Sequence, residues 1–127
     1  MTVRRKAYKF RLYPNREQKQ LFAKTFGSSR AIWNMMLADK MAYYQETGRM
    51  LNNTPAQYKK DFPWLREVDS LALANVQVNL QKAYKSFFQS GFGLPKFKKK
   101  CHAQSYKTNN QKGTIALLDG KIRLPKI

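Results

Sequence analysis

The residues best equipped for recognition chemistry lie between positions 63 and 100, PWLREVDSLALANVQVNLQKAYKSFFQSGFGLPKFKKK. With Leu73 as reference and about 100° per residue, Gln77, Leu80, Tyr84 and Phe87 share one side of a helix, flanked by Val76 and Phe88. The opposite side carries Asn75, Asn79, Lys82, Ser86 and Gln89, accompanied by Leu71 and Val78. Side-chain amides read adenine in a major groove and apolar side chains touch thymine methyls, so this polar face suits an A·T-containing duplex. The competing structural reading is that Leu71 and Val78 pack on a neighbouring helix while the asparagines are merely solvated.

Phosphate chemistry is the second expectation. Lys96, Lys98, Lys99 and Lys100 follow the helix, and Arg4, Arg5, Lys6, Lys9 and Arg11 crowd the N-terminus. With Lys82 they form a set of phosphate ligands for DNA or RNA. Tyr8, Phe97 and Tyr106 are interleaved with these cations, where aromatic rings can stack on bases. Phe10 lies in the same company but is expected in the core.

Catalytic chemistry finds little support. The seven acids are Glu17, Asp39, Glu46, Asp61, Glu67, Asp69 and Asp119. Glu67 and Asp69 sit where a helix N-terminus favours negative charge, and two-metal phosphodiester cleavage needs carboxylates converging from separate elements. Cys101-His102 provides two adjacent zinc-type ligands with no second pair to complete four. No catalytic residue, metal or cofactor is therefore assigned.

A formal net charge of +18 over 127 residues points to a polyanion as partner. Aromatic residues at 13% and hydrophobic residues at 43% argue for a folded core rather than disorder. No apolar run approaches the roughly 18 residues of a membrane span, the N-terminus lacks a signal-peptide core, and a single cysteine allows no intrachain disulfide. These features lead to an expected cytoplasmic compartment, and a membrane partner is not expected because the aromatic face of the long helix is needed for a core.

The elements that must position these groups follow from periodicity and caps. Residues 3–12 alternate as a half-exposed strand with a cationic face. Asn15 caps a helix bearing Leu21, Phe22 and Phe26, which Gly27-Ser28-Ser29 interrupts or kinks. A second run with Ile32, Met35, Met36 and Tyr43 on one face ends at Gly48. Thr54-Pro55 starts a short helix through Lys60, and the long helix runs from Asp69 or Ser70 to about Ser90. Residues 105–108 read as a strand, and Asp119-Gly120 as the turn of a hairpin between 114–118 and 121–124. The fold class is α+β: a helical bundle, residues 14–90, inserted between a first strand in 1–13 and the C-terminal strands of 91–127.

The order of KAYKFRLYPNREQKQLF, GSSRAIWNMML, WLREVDSLALANVQVNLQKAYKSFF, GLPKFKKK, SYKTNN and GKIRLPKI resembles the TnpB (OrfB) proteins of bacterial insertion sequences over essentially the whole chain. That family comprises RNA-guided DNA endonucleases related to type V CRISPR effectors. The resemblance implies that the helices, long described as a helix-turn-helix domain, are a recognition lobe inserted into a wedge β-barrel, left incomplete here. It places Ser70, Leu71 and Ala74 opposite a short target-adjacent DNA motif, and Gln111 and Lys112 close to it. It implies double-stranded DNA and guide RNA as partners, in a bacterial, nucleoid-associated setting. The family's RuvC-like nuclease domain, with metal-binding carboxylates for Mg and a zinc ribbon, lies beyond the segments matched here. The expected role is nucleic-acid binding without cutting. Alternatives are a stand-alone helix-turn-helix DNA-binding regulator, a self-sufficient nuclease using Glu67 or Asp69, and a membrane-surface binder.

Overall fold

The computed structural model describes residues 5–91, 93–101, 104–110 and 113–127. Val3, Arg4, His102, Gln111 and Lys112 lie outside the described residues.

Helix α1 spans Arg16–Thr47, 32 residues without interruption. Its start is a reciprocal cap. The Gln18 N–H donates to Asn15 Oδ1 at 2.9 Å and the Asn15 N–H donates to Gln18 Oε1 at 2.9 Å. Its end is Gly48 at φ 69°, a left-handed position that glycine adopts without steric cost. The break expected at Gly27-Ser28-Ser29 does not occur. A helical glycine costs about 1 kcal/mol relative to alanine and serine less, and the same helix buries Ile32, Trp33, Met36 and Leu37. Each such side chain is worth roughly 1.5–3 kcal/mol, so packing overrides the local preference. Ser28 and Ser29 are themselves buried.

Helix α2, Pro55–Asp61, starts with proline at its first position, where no N–H partner is needed. A 3-10 turn, Pro63–Glu67, follows and buries Leu65. Helix α3, Ser70–Ser90, is capped by Asp69, whose Oδ1 accepts from the Leu71 N–H at 3.0 Å, and closes at Gly91 with φ 68°. The core joins Ile32, Trp33, Met36 and Leu37 of α1 to Leu65, Val68, Leu73, Leu80 and Tyr84. Thus Leu73, Leu80 and Tyr84 bury the α3 face expected from periodicity. Phe87 is half-buried and Phe88 is exposed against Tyr44 and Tyr84.

Strands β1, Ala116–Leu118, and β2, Lys121–Arg123, pair antiparallel in the register Ala116↔Arg123, Leu117↔Ile122 and Leu118↔Lys121. Asp119 and Gly120 make the two-residue turn with φ 42° and 77°, the double positive φ of a type I′ hairpin. The expected strands at 3–12 and 105–108 are not formed within the described residues, and the sheet there is this ribbon rather than a barrel. Residues 11–15 do lie beside the hairpin, across a groove of about 420 Å³ that Arg11, Tyr13, Lys121 and Ile122 help to line. Neighbourhood without a ladder explains why Phe10, expected in the core, is 61% exposed and stacks on Tyr8. Among the described residues no helix is long and apolar enough to cross a membrane.

A polar cluster ties α2 to α1. Tyr58 donates to Asp39, while Asn53 Nδ2 donates to the Tyr58 hydroxyl at 2.8 Å and to the Met36 carbonyl at 3.3 Å. Burial, then the bond to Asp39, pushes the Tyr58 pKa up to about 12. An unfolded tyrosine loses its proton near pH 10, so the stability contributed by Tyr58 is complete below pH 10 and falls as pH rises toward 12. Tyr58→Phe is expected to cost about 1–2 kcal/mol at pH 7, because Asn53 loses a partner, and to flatten the alkaline loss relative to the parent chain. Urea unfolding at pH 7 and across pH 10–12 measures both. An equal alkaline slope in the two proteins contradicts the assignment.

Candidate nucleic-acid interface

Two surfaces bring the recognition residues together. The first is the outer face of α3. Ser70, Ala74, Val78 and Lys82, each four residues from the next, are all exposed, and Asn79 is exposed beside them. A four-residue step on a 3.6-residue helix keeps successive side chains on one slowly winding stripe. The stripe combines hydroxyl, methyl, isopropyl, amide and ammonium groups, which suit a groove edged by phosphates. Leu71 is half-buried at its margin.

Asn75 is placed differently from its neighbours. Its Nδ2 contacts the Leu71 carbonyl at 2.9 Å, the Lys107 carbonyl at 3.0 Å and Asn109 Oδ1 at 2.7 Å. Its amide donors are occupied by the chain itself, in holding the segment that returns after α3.

That returning segment, residues 93–101 and 104–110, is the second surface. It has no regular secondary structure, and helix side chains bond to its backbone at Lys96, Lys98 and Lys107. Trp33 Nε1 donates to the Lys96 carbonyl at 2.9 Å. Asn34 pairs with Lys98 at both ends, Nδ2 to the carbonyl at 3.0 Å and the Lys98 N–H to Oδ1 at 2.8 Å, as a neighbouring strand would. The Lys98 ammonium sits 4.2 Å from the centre of the Trp33 ring, a cation–π contact. Farther on, Tyr106 packs against Phe22 and Phe26 with ring centroids 6.3 and 5.7 Å away, and Thr108 donates to Asp69 Oδ2. Burial and then the Asp69 charge raise the Tyr106 pKa.

The lacing presents Lys96, Lys98, Lys99, Lys100 and Lys107, all exposed, across α1. Phe97 is 47% exposed among them, whereas Tyr106, expected to stack on bases, is engaged by the chain's own aromatics. At the other end Arg5, Lys6, Tyr8, Lys9 and Arg11 are exposed, with Arg11 5.9 Å from the Tyr13 ring. Glu67 and Asp69, the adjacent acids, take separate partners. Glu67 pairs with Lys24 at 3.4 Å, while Asp69 caps α3 and holds Thr108. Sequence reasoning missed Trp33, Asn34 and Asp69 as anchors of the cationic segment. Their contacts span 39 to 64 positions, and no local pattern encodes them.

Two comparisons with known proteins bear on this surface. Residues 1–49 match the helix-turn-helix domain of the IS605 OrfB family. The chain is similar to that domain over its first 49 residues. Over 101 residues it is also 32% identical to a Streptomyces pristinaespiralis protein named "Putative RNA-guided DNA endonuclease". That match takes in 74% of this chain and 25% of the relative, so the chain spans about a quarter of that protein's length. The TnpB/OrfB resemblance of the motifs is thus supported by both. Within the OrfB match the described helix is the single, continuous α1, and its packing partner α3 lies outside the matched residues.

Proposed function

We propose that this chain is the nucleic-acid-binding part of a TnpB-like RNA-guided nuclease, reading a short target-adjacent duplex motif and holding guide RNA without cutting either. The observation that carries the reading is the exposed stripe Ser70–Ala74–Val78–Lys82 with Asn79, beside a cationic segment that three separate helix side chains hold in place. Electrostatic capture by the lysines comes first and is independent of sequence. Side chains of the α3 stripe then contact base edges, while the guide supplies pairing to the rest of the target. Base reading passes from Asn75, whose amide donors hold the returning segment, to Asn79 and its apolar neighbours. Gln111 and Lys112 remain proposed contributors beside the motif. In this arrangement residues 14–90 act as the recognition lobe, and 1–13 with 91–127 as the wedge side.

Selection from a randomised duplex library, with and without RNA transcribed from the flanking locus, tests the reading. A short A·T-containing motif is expected to be enriched, and Asn79→Ala together with Ala74→Glu is expected to abolish the enrichment while leaving non-selective binding. Binding without enrichment in the parent chain rejects the α3 stripe as a reader. Enrichment that is indifferent to RNA shifts the assignment to a stand-alone DNA-binding regulator.

A further inference from the structure

A small cleft of about 40 Å³ opens between α1 and the returning segment. Phe26, Ser29 and Arg30 line it from α1, and Lys98, Lys99, Gln104 and Ser105 line it from the other side. Three of these seven residues are cationic, and none is acidic. Ser29 is 5% exposed, and its Oγ meets no hydrogen-bond partner among the described residues. A buried hydroxyl left without a partner costs about 1–3 kcal/mol, although Thr25, one helical turn earlier, satisfies its own by bonding back to the Leu21 carbonyl at 2.8 Å. An orphan donor in a cleft lined by half-buried Arg30 and by two lysines matches the needs of a tetrahedral dianion or monoanion, which accepts several charge-assisted hydrogen bonds at once.

We infer that this cleft is a built site for one phosphoryl group of a nucleic-acid backbone, with Arg30 and Ser29 as the principal donors and Lys98 and Lys99 supplying charge. The inference rests on the nucleic-acid reading above and adds to it a fixed point of register. A phosphate seated here lies against Lys98, which also packs on Trp33, so backbone position and the docking of the returning segment are coupled. The cleft admits the shared chemistry of DNA, RNA and free phosphate, and the test separates them.

The full chain, labelled with nitrogen-15, is titrated with inorganic phosphate against sodium chloride at matched ionic strength. Saturable amide shifts confined to residues 29, 30, 98, 99, 104 and 105 are expected, lost in Arg30→Gln and weakened in Ser29→Ala. Removing an unpartnered buried hydroxyl leaves the melting temperature unchanged or higher, so weaker binding without destabilisation separates a ligand role from a packing role. Duplex DNA and single-stranded RNA are then titrated at several salt concentrations. Arg30→Gln is expected to reduce the log–log salt slope by about 0.9 for duplex or about 0.7 for a single strand, on whichever polymer fills the cleft. Unsaturable shifts spread over all lysines, or slopes unchanged on both polymers, overturn the site. If the parent chain binds neither polymer, the reading above fails, and the phosphate titration still decides the cleft.

Discussion

Replacing Lys96, Lys99 and Lys100 together by glutamine is expected to weaken duplex binding several hundredfold at about 0.1 M salt. Each lysine that neutralises a phosphate contributes a slope of about −0.9 to the log–log salt dependence, which amounts to roughly an eightfold factor at that salt and about 500-fold for three. The slope itself is expected to become shallower by about 2.7. These positions are chosen because Lys98 is held against Trp33 and contributes to docking, and Lys96, Lys99 and Lys100 are exposed. Fluorescence anisotropy between 50 and 300 mM salt measures both quantities. A loss of less than tenfold with an unchanged slope removes the returning segment from the interface and leaves the N-terminal cations Arg5, Lys6, Lys9 and Arg11 as the phosphate ligands.

The second large effect is on stability. Trp33→Ala is expected to cost about 3–5 kcal/mol, the range for truncating a buried aromatic. Trp33 is 8% exposed in the core, its indole N–H carries the Lys96 carbonyl, and its ring carries the Lys98 ammonium. A domain of this size has a total stability of roughly 6–19 kcal/mol, so the loss is a large share of it. Trp33→Phe keeps most of the apolar filling and removes the N–H donor, so it is expected to cost less while still loosening residues 96–100. Urea unfolding reads the first part, and amide hydrogen exchange in the returning segment reads the second. If exchange in 96–100 is the same in both variants as in the parent, Trp33 is a core residue alone, and the coupling between core and interface is absent.

Lys40 shows the same interplay of charge and burial. It is 1% exposed, and its ammonium donates to the Leu51 carbonyl at 2.6 Å. Burial lowers its pKa from the ordinary value. No pattern in the sequence separates this lysine from the 24 other cationic side chains, of which the described ones mostly face water.

What the sequence by itself determined was local. Asn15 and Gln18 form a reciprocal cap because their side chains reach backbone groups three positions away. Gly48 and Gly91 end their helices, and Asp119-Gly120 turns the hairpin, because positive φ selects those residue types. The buried face of α3 follows from the 3.6-residue period, and the cationic surplus follows from counting. The TnpB/OrfB motifs were legible for the same reason, being runs of neighbouring residues. Tertiary structure decided the rest. Packing of Ile32, Trp33, Met36 and Leu37 carried α1 straight through Gly27-Ser28-Ser29, where local propensity alone favoured a break. Contacts across more than thirty positions assigned Asn75 to the Lys107 carbonyl, Tyr106 to Phe22 and Phe26, and Lys98 to Trp33. Those pairings depend on where two helices place a segment with no periodicity of its own, and that position is set by the shared core.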